Sequence, residues 1–124
     1  MNLNQVTLPV LDIPRAIEFY EAFGLKLIVH SNDDYARFLC QNGATFSVHK
    51  VAKVAAGNVP TIYFECDDVD AEVTRLKKEG VSFITEATDQ RWLWREAALE
   101  DIDGNKIIIY QAGENRINPP WRIL

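Results

Sequence analysis

The cysteine and histidine residues of this sequence do not form a recognisable metal-binding or nucleophilic pattern. The chain contains two of each. Cys40 and Cys66 lie in separate strand-like segments instead of a C-x-x-C motif, so neither a zinc site nor a disulfide framework is indicated. His49 lies in another strand-like segment, where a half-exposed structural histidine is commoner than a functional one. A protein of the reducing cytoplasm is the simplest expectation.

Two closely spaced tryptophans are the residues best suited to recognise a ligand. Trp92 and Trp94 lie beside Asp89, Arg91 and Arg95. Large aromatic rings near a cleft stack on flat molecules, and neighbouring charged groups contact the rim of such a ligand. Tryptophan is also enriched at protein–protein interfaces. The sequence therefore leaves two interpretations of this segment open, namely ligand contact and dimer packing.

The charge and hydropathy of the chain disfavour two classes of partner. The net charge is −5 over 124 residues, and no basic stripe of the kind that binds phosphates is present. No apolar run approaches the roughly 20 residues that span a bilayer, and the first residues lack the basic region of a signal peptide. We therefore expect a cytoplasmic protein that binds neither nucleic acid nor membrane.

An internal repeat organises the chain. Shifting the sequence by 56 positions aligns Asp12 with Asp68 and Gly24 with Gly80 without a gap. Each aspartate is a candidate helix N-cap, and each glycine is suited to the positive φ that ends a helix. Pro14 falls in the first helical turn, where its missing N–H costs nothing. A β-rich run precedes and follows each predicted helix, so both copies begin β-α-β.

Each copy continues into a predicted hairpin. Asn42-Gly43 and Asp103-Gly104 are flanked by strand-like runs, and such pairs favour hairpin turns because these turns require positive φ. The offset between the copies has grown here from 56 to 61 residues, which places five extra residues between the second and third strands of the second copy. We expect this insertion to form a loop that contains Trp92 and Trp94.

Two β-α-β-β-β copies resemble the vicinal-oxygen-chelate superfamily, which includes glyoxalase I, extradiol dioxygenases and bleomycin-binding proteins. The resemblance is carried by VLDIPRAIEFYEAFGLKL, FECDDVDAEVTRLKKEGV and REAALEDIDGNKIIIY. The last of these resembles the DPDGN turn of the family, with Ile102 in place of proline. The resemblance implies an α+β fold in which two tandem βαβββ modules form a curved half-barrel sheet. It implies one domain over 1–124, with modules at 3–51 and 59–112 and a tail at 113–124, and a homodimer.

The resemblance also indicates where metal-dependent members carry their His and Glu ligands. By the spacing to the helix caps and hairpin glycines, these positions are Gln5, Ser47, Thr61 and Ile108. Transition metals prefer imidazole, thiolate or carboxylate, and Ile108 has no donor atom. We therefore expect no metal and no other cofactor, although a displaced site that uses His49 and Glu65 stays open.

Strand alternation then predicts which side chains face away from the helices. This open face mixes polar and aromatic groups, as ligand sites do, although the aromatic rings could instead fill the half-barrel. With the two tryptophans of the inserted loop included, the predicted ligand-binding residues are Gln5, Thr7, Phe38, Ser47, His49, Thr61, Tyr63, Glu65, Trp92, Trp94, Glu96, Ile108 and Tyr110.

Three functions are consistent with these predictions. The first is metal-independent binding of a small, partly aromatic organic molecule, in the manner of bleomycin-resistance proteins. The second is an enzyme of the glyoxalase/dioxygenase type, a lyase, isomerase or oxygenase. It would use a displaced metal, or metal-free acid–base chemistry at Glu65, Glu96, His49 or Tyr63. The third is a dimeric scaffold without a ligand, because the fold alone does not decide function.

Overall fold

The structure is a computed structural model that describes residues 1–57 and 59–123. Two copies of a βαβββ module follow one another along the chain, as the repeat predicts. The first comprises β1 (Gln5–Val10), α1 (Ile13–Phe23), β2 (Lys26–Ser31), β3 (Tyr35–Leu39) and β4 (Thr45–Lys50). The second comprises β5 (Thr61–Glu65), α2 (Val69–Lys78), β6 (Phe83–Asp89), β7 (Arg95–Glu100) and β8 (Lys106–Gln111), followed by a 3-10 helix at Gly113–Arg116.

Each module forms its own four-stranded sheet, with strand orders β1-β4-β3-β2 and β5-β8-β7-β6. The first strand of each module pairs in parallel with the last, and the other neighbours are antiparallel. The two sheets therefore share one topology, which confirms the α+β fold and the repeat.

Both helices begin and end where the sequence predicts. The Asp12 carboxylate accepts a hydrogen bond from the Arg15 amide at 2.9 Å, and Asp68 accepts one from the Ala71 amide at 3.1 Å. Gly24 has a φ of 113° and donates to carbonyl oxygens of the last turn of α1. No helix in residues 1–57 and 59–123 is long and apolar enough to cross a membrane.

Each helix packs its apolar stripe on the sheet of its own module. In the first module the ring of Tyr20 is fully buried, with its centroid 4.6 Å from that of Phe46 and 5.7 Å from that of Phe38. In the second module Val73 and Leu76 of α2 are buried on the helix side. Apolar burial of this kind is the main stabilising contribution to each module.

The chain divides into two compact units that do not follow the module boundary strictly. The first unit comprises residues 1–58 and 101–105, and the second comprises 59–100 and 106–124. Three side chains tie 101–105 to the first unit. Asp101 accepts from the Tyr20 hydroxyl at 2.6 Å, Asp103 accepts from the Leu11 amide at 3.1 Å, and the Asn105 amide donates to the Pro9 carbonyl at 2.9 Å.

The turn at Asn42-Gly43 differs from the expected one, and the difference reverses the faces of β3. The Cys40 amide donates to the Ala44 carbonyl oxygen and the Gly43 amide to the Cys40 carbonyl oxygen, so the loop has three residues. With a two-residue loop Phe38 would pair with Ser47, whereas it pairs with Phe46. Because a shift of one residue moves every side chain to the opposite face, the prediction of Phe38 on the open face was wrong.

The predicted tryptophan loop is a tight hairpin instead. Strand β6 extends to Asp89, and a three-residue loop closes between Gln90 and Trp94, where the Gln90 amide donates to the Trp94 carbonyl oxygen at 2.7 Å. Leu93 takes the left-handed conformation, with a φ of 67°. The extra residues lengthen the β6–β7 hairpin because strand pairing satisfies their backbone groups.

Candidate functional site

The open face of the first sheet carries a hydrogen-bonded polar cluster. The Gln5 amide nitrogen donates to the Ser47 hydroxyl at 2.6 Å, and the hydroxyls of Thr7 and Ser47 are 2.6 Å apart. Ser47 is fully buried, whereas Gln5 and Thr7 are exposed. Three predicted site residues are therefore brought together, and their side chains form hydrogen bonds with one another.

Two further residues complete this cluster. Arg37 pairs with Ser47, and Tyr35 pairs with His49 across β3 and β4, so all four share the open face. The Nε of Arg37 donates to the Tyr35 hydroxyl at 2.8 Å. Burial raises the pKa of Tyr35, but hydrogen bonds from Ser47 and Arg37 outweigh it and hold that pKa below its ordinary value. Neither residue is predicted from the sequence, because a two-residue turn at Asn42-Gly43 would place Phe38 on this face; the observed register places Tyr35 and Arg37 there instead.

An aromatic cluster occupies the open face of the second sheet. We define it as Tyr63, Trp94 and Tyr110. The Trp94 and Tyr110 rings are stacked, with centroids 4.5 Å apart and an interplanar angle of 15°. Tyr63 meets both edge-on, at 6.0 Å from Trp94 and 5.8 Å from Tyr110. These three predicted residues therefore form one surface, from β5, β8 and the residue that precedes β7.

A carboxylate and a guanidinium lie next to the aromatic cluster. Glu65 follows Tyr63 on the same face of β5, and its Oε2 is 3.5 Å from Nε of Arg116. Burial and the Glu65 charge raise the pKa of Tyr110, which keeps its hydroxyl protonated. Arg116 belongs to the tail, and the Asn115 carbonyl oxygen accepts from the Trp94 indole at 3.3 Å. The tail therefore contributes to this site, which no strand-alternation argument could indicate.

Trp92 has a different environment from Trp94. Its indole N–H donates to the Glu96 carboxylate at 2.7 Å, and Glu96 is 7% exposed. Trp92, Arg91 and Trp121 line an open cleft of about 470 Å³. Trp121 is 57% exposed.

The neighbouring arginines also differ in their partners. Arg95 forms ion pairs with Asp70 of α2 at 2.9 Å and with Asp89 at 3.0 Å. The Arg95 hydrogen bond lowers the pKa of Asp70. In the described part of the chain Arg91 forms no ion pair, so Arg91 is the cation available to a molecule in the cleft.

A family model identifies the chain. The model of the Glyoxalase/Bleomycin resistance protein/Dioxygenase superfamily matches residues 2–109. The chain belongs to this superfamily. No curated protein matches the sequence.

Solved structures of the glyoxalase superfamily share the fold at low sequence identity. A glyoxalase/bleomycin resistance protein/dioxygenase from Nocardioides has a TM-score of 0.80 and 16% identity, over 100% of this chain and 90% of its own. A family enzyme from Burkholderia phytofirmans PsJN has a TM-score of 0.76 and 19% identity, over 90% and 99%. Lactoylglutathione lyase from Agrobacterium tumefaciens has a TM-score of 0.74 and 17% identity, over 89% and 92%. At such identities the likeness concerns the fold alone.

The four positions that the sequence predicts to be equivalent to the metal ligands of the superfamily hold poor ligands in this chain. Ser47 shares its hydroxyl with Gln5 and Thr7, Ile108 has no donor atom, and Thr61 offers one neutral hydroxyl. Among the described residues no group of three or more His, Cys, Asp or Glu side chains could hold a metal ion. This donor set does not fit the zinc, iron or manganese of metal-dependent members.

Proposed function

We propose that this protein binds a small, partly aromatic organic molecule without a metal, in the manner of the bleomycin-resistance proteins of its superfamily. The observation that carries the proposal is the aromatic cluster of Tyr63, Trp94 and Tyr110 on the open face of the second sheet. Apolar walls with a few polar groups are typical of small-molecule sites.

The exposure of the rings supports a ligand-binding role over simple core filling. Tyr110 is 7% exposed, while Tyr63 is 48% exposed and so leaves much of its ring in contact with solvent. A planar molecule that covers Tyr63 would bury this apolar area and gain offset or edge-on ring contacts. The neighbouring Glu65–Arg116 pair would supply polar contacts at its edge.

The polar cluster of the first sheet supports the metal-free part of the proposal. A metal at the family positions would have to displace the hydrogen bonds that Ser47 makes with Gln5 and Thr7. Neutral hydroxyls and amides bind a transition metal too weakly to offset the free energy of removing its bound water, whereas imidazole and carboxylate can offset it.

The test is a titration of planar aromatic compounds followed by tryptophan fluorescence, with Trp94 as the reporter. We expect at least one compound to bind, and Tyr63→Ala to weaken it by about 2 kcal/mol, as the loss of an aromatic anchor does, or roughly thirtyfold in Kd. Ile84→Ala is the matched control, because Ile84 is an exposed apolar residue of the same sheet outside the cluster. Chelator should leave the affinity and Tm unchanged.

Three outcomes would contradict the proposal. These are a broad panel in which no compound changes the fluorescence, an equal loss of affinity in Ile84→Ala, and binding that requires added zinc, iron or manganese.

The enzyme alternative has one observation in its favour. The Tyr35 hydroxyl accepts from Arg37 and has a lowered pKa, which suits a group that exchanges protons with a substrate. Mass spectrometry of the bound compound separates the two functions. Recovery of the compound unchanged supports binding, whereas conversion that disappears in Tyr35→Phe would favour metal-free acid–base catalysis.

A further inference from the structure

We propose that the open face of the first sheet is a second binding site, which takes the carboxylate of an organic anion on Arg37. The site lies in the first unit and uses none of the aromatic cluster. It therefore goes beyond the proposed function and stands whether or not that function holds.

Arg37 is a half-buried cation without a counter-ion in the described part of the chain. Its Nε donates to the Tyr35 hydroxyl at 2.8 Å, and its guanidinium carbon lies 5.4 Å from the centre of the Tyr35 ring. None of the ion pairs among residues 1–57 and 59–123 includes it. Arg95, by contrast, is held by two carboxylates. A partly desolvated guanidinium is stabilised by an anion, and a bound carboxylate would supply that anion here.

The neighbours of Arg37 are hydrogen-bonding groups instead of acids. The register places Thr7, Ser47 and Arg37 side by side on β1, β4 and β3. Ser47 is fully buried and cannot touch a ligand, so its hydroxyl positions Thr7 and Tyr35. Because the Tyr35 oxygen accepts from Arg37, its O–H is available to donate to the same anion. Guanidinium and phenol together can therefore supply three donors.

The chemistry of Arg37 and its neighbours Thr7 and Ser47 favours a carboxylate. This group of residues contains one positive charge, which matches a monoanion, and the flat guanidinium fork matches the two oxygens of a carboxylate. On its other side Arg37 pairs with Val29, an apolar neighbour that limits solvent competition for the anion. A phosphate dianion would normally be met by more than one cation.

The test is an NMR titration with propionate, which has no ring and so does not probe the aromatic cluster. We expect the Arg37 Nε–Hε signal, assigned by its loss in Arg37→Gln, to shift saturably. Propionamide, the neutral isostere, should leave it unmoved. Followed on the amides of β3, Arg37→Gln should weaken propionate about tenfold or more, and Arg37→Lys should recover only part of the loss. Arg15→Gln removes the same charge from an exposed position of the same unit and should leave the affinity unchanged.

Several results would overturn this assignment. The first is an Arg37 signal that does not respond to propionate, or that responds equally to propionamide. The second is an equal loss of affinity in Arg15→Gln, which would reduce the effect to net charge. The third is inorganic phosphate that binds more tightly than propionate at the same ionic strength. Unchanged amide signals elsewhere in Arg37→Gln would show that the variant is folded.

Discussion

The Tyr20 hydroxyl shows how one residue can connect distant parts of the sequence. Its ring packs among the phenylalanines of the first sheet, and its O–H donates to Asp101 at 2.6 Å. Asp101 also accepts from the Asn105 and Asp103 amides, so its carboxylate organises the whole turn. Burial, followed by the charge of Asp101, raises the pKa of Tyr20 far above its ordinary value.

Removal of this hydroxyl should change both the stability and its alkaline response. We expect Tyr20→Phe to lower the free energy of unfolding by about 2 kcal/mol, because a hydrogen bond to a charged group is lost. A raised pKa in the folded state means that unfolded Tyr20 loses its proton first. This contribution is therefore complete below a pH of about 10 and is lost as the pH rises above that value.

Urea unfolding at a pH of about 8 and of about 11, on either side of the ordinary tyrosine pKa, measures both effects. The difference in stability between Tyr20→Phe and the unmodified protein should narrow at the higher pH. Tyr63→Phe is the control, since Tyr63 is half exposed. A Tyr20→Phe protein with unchanged stability at the lower pH would contradict the argument.

At the scale of elements, three hairpins have loops of the same conformation. Each has three residues, and the third has positive φ: Gly43 at 89°, Gly104 at 79° and Leu93 at 67°. In each case the amide of this third residue donates to the carbonyl oxygen of the residue before the loop. Glycine takes this conformation without cost, whereas a leucine does not.

Substitutions at the third loop position of two of these hairpins should therefore change the stability in opposite directions. Leu93→Gly should relieve about 1–2 kcal/mol of backbone strain, offset by about 0.5–1 kcal/mol of backbone entropy, and so raise the stability slightly. Gly43→Ala should lower it by about 1 kcal/mol, since no atom blocks the new methyl group but the positive φ strains it. Thermal unfolding of both variants measures the difference. A Leu93→Gly protein less stable than the unmodified one would show that the Leu93 side chain, 48% exposed, contributes packing that outweighs the strain.

At the scale of the molecule, each sheet ends in strands that, within the described residues, are paired on one side only. These are β1 and β2 in the first sheet and β5 and β6 in the second. Large apolar side chains are also exposed, including Leu3 at 89% and Ile84 at 61%. Open edges and exposed apolar groups favour association with a second copy. A homodimer is accordingly our proposal for the assembly.

Sedimentation at micromolar concentration tests the assembly. We expect the mass of two 14.1 kDa chains, and a Tm that rises with protein concentration because dissociation accompanies unfolding. Trp92→Ala decides the role that the sequence left open. A monomeric variant would place Trp92 at the interface, and a dimer would leave it to the cleft. A single 14.1 kDa species in the unmodified protein would contradict the proposal.

The sequence by itself determined the two modules and their element order. Aspartate N-caps, glycines that end helices and strand-like runs are signals that depend on only a few neighbouring residues in sequence. Asp12, Asp68 and Gly24 could therefore be placed without any knowledge of their neighbours in space. The open face of the second sheet was also placed correctly, because Glu96 does pair with Tyr110 and Ala98 with Ile108.

Only the tertiary structure decided the open face of the first sheet and the partners of the charged residues. The Asn42-Gly43 loop has one residue more than expected, and this residue shifts the register of β3 against β4. Because side chains alternate between the two faces of a strand, Tyr35 and Arg37 lie on the open face and Phe38 lies on the helix side. The attachment of 101–105 to the first unit, and of Arg116 to Glu65, joins residues far apart in sequence. Such contacts form only when packing brings the elements together, and no local pattern encodes them.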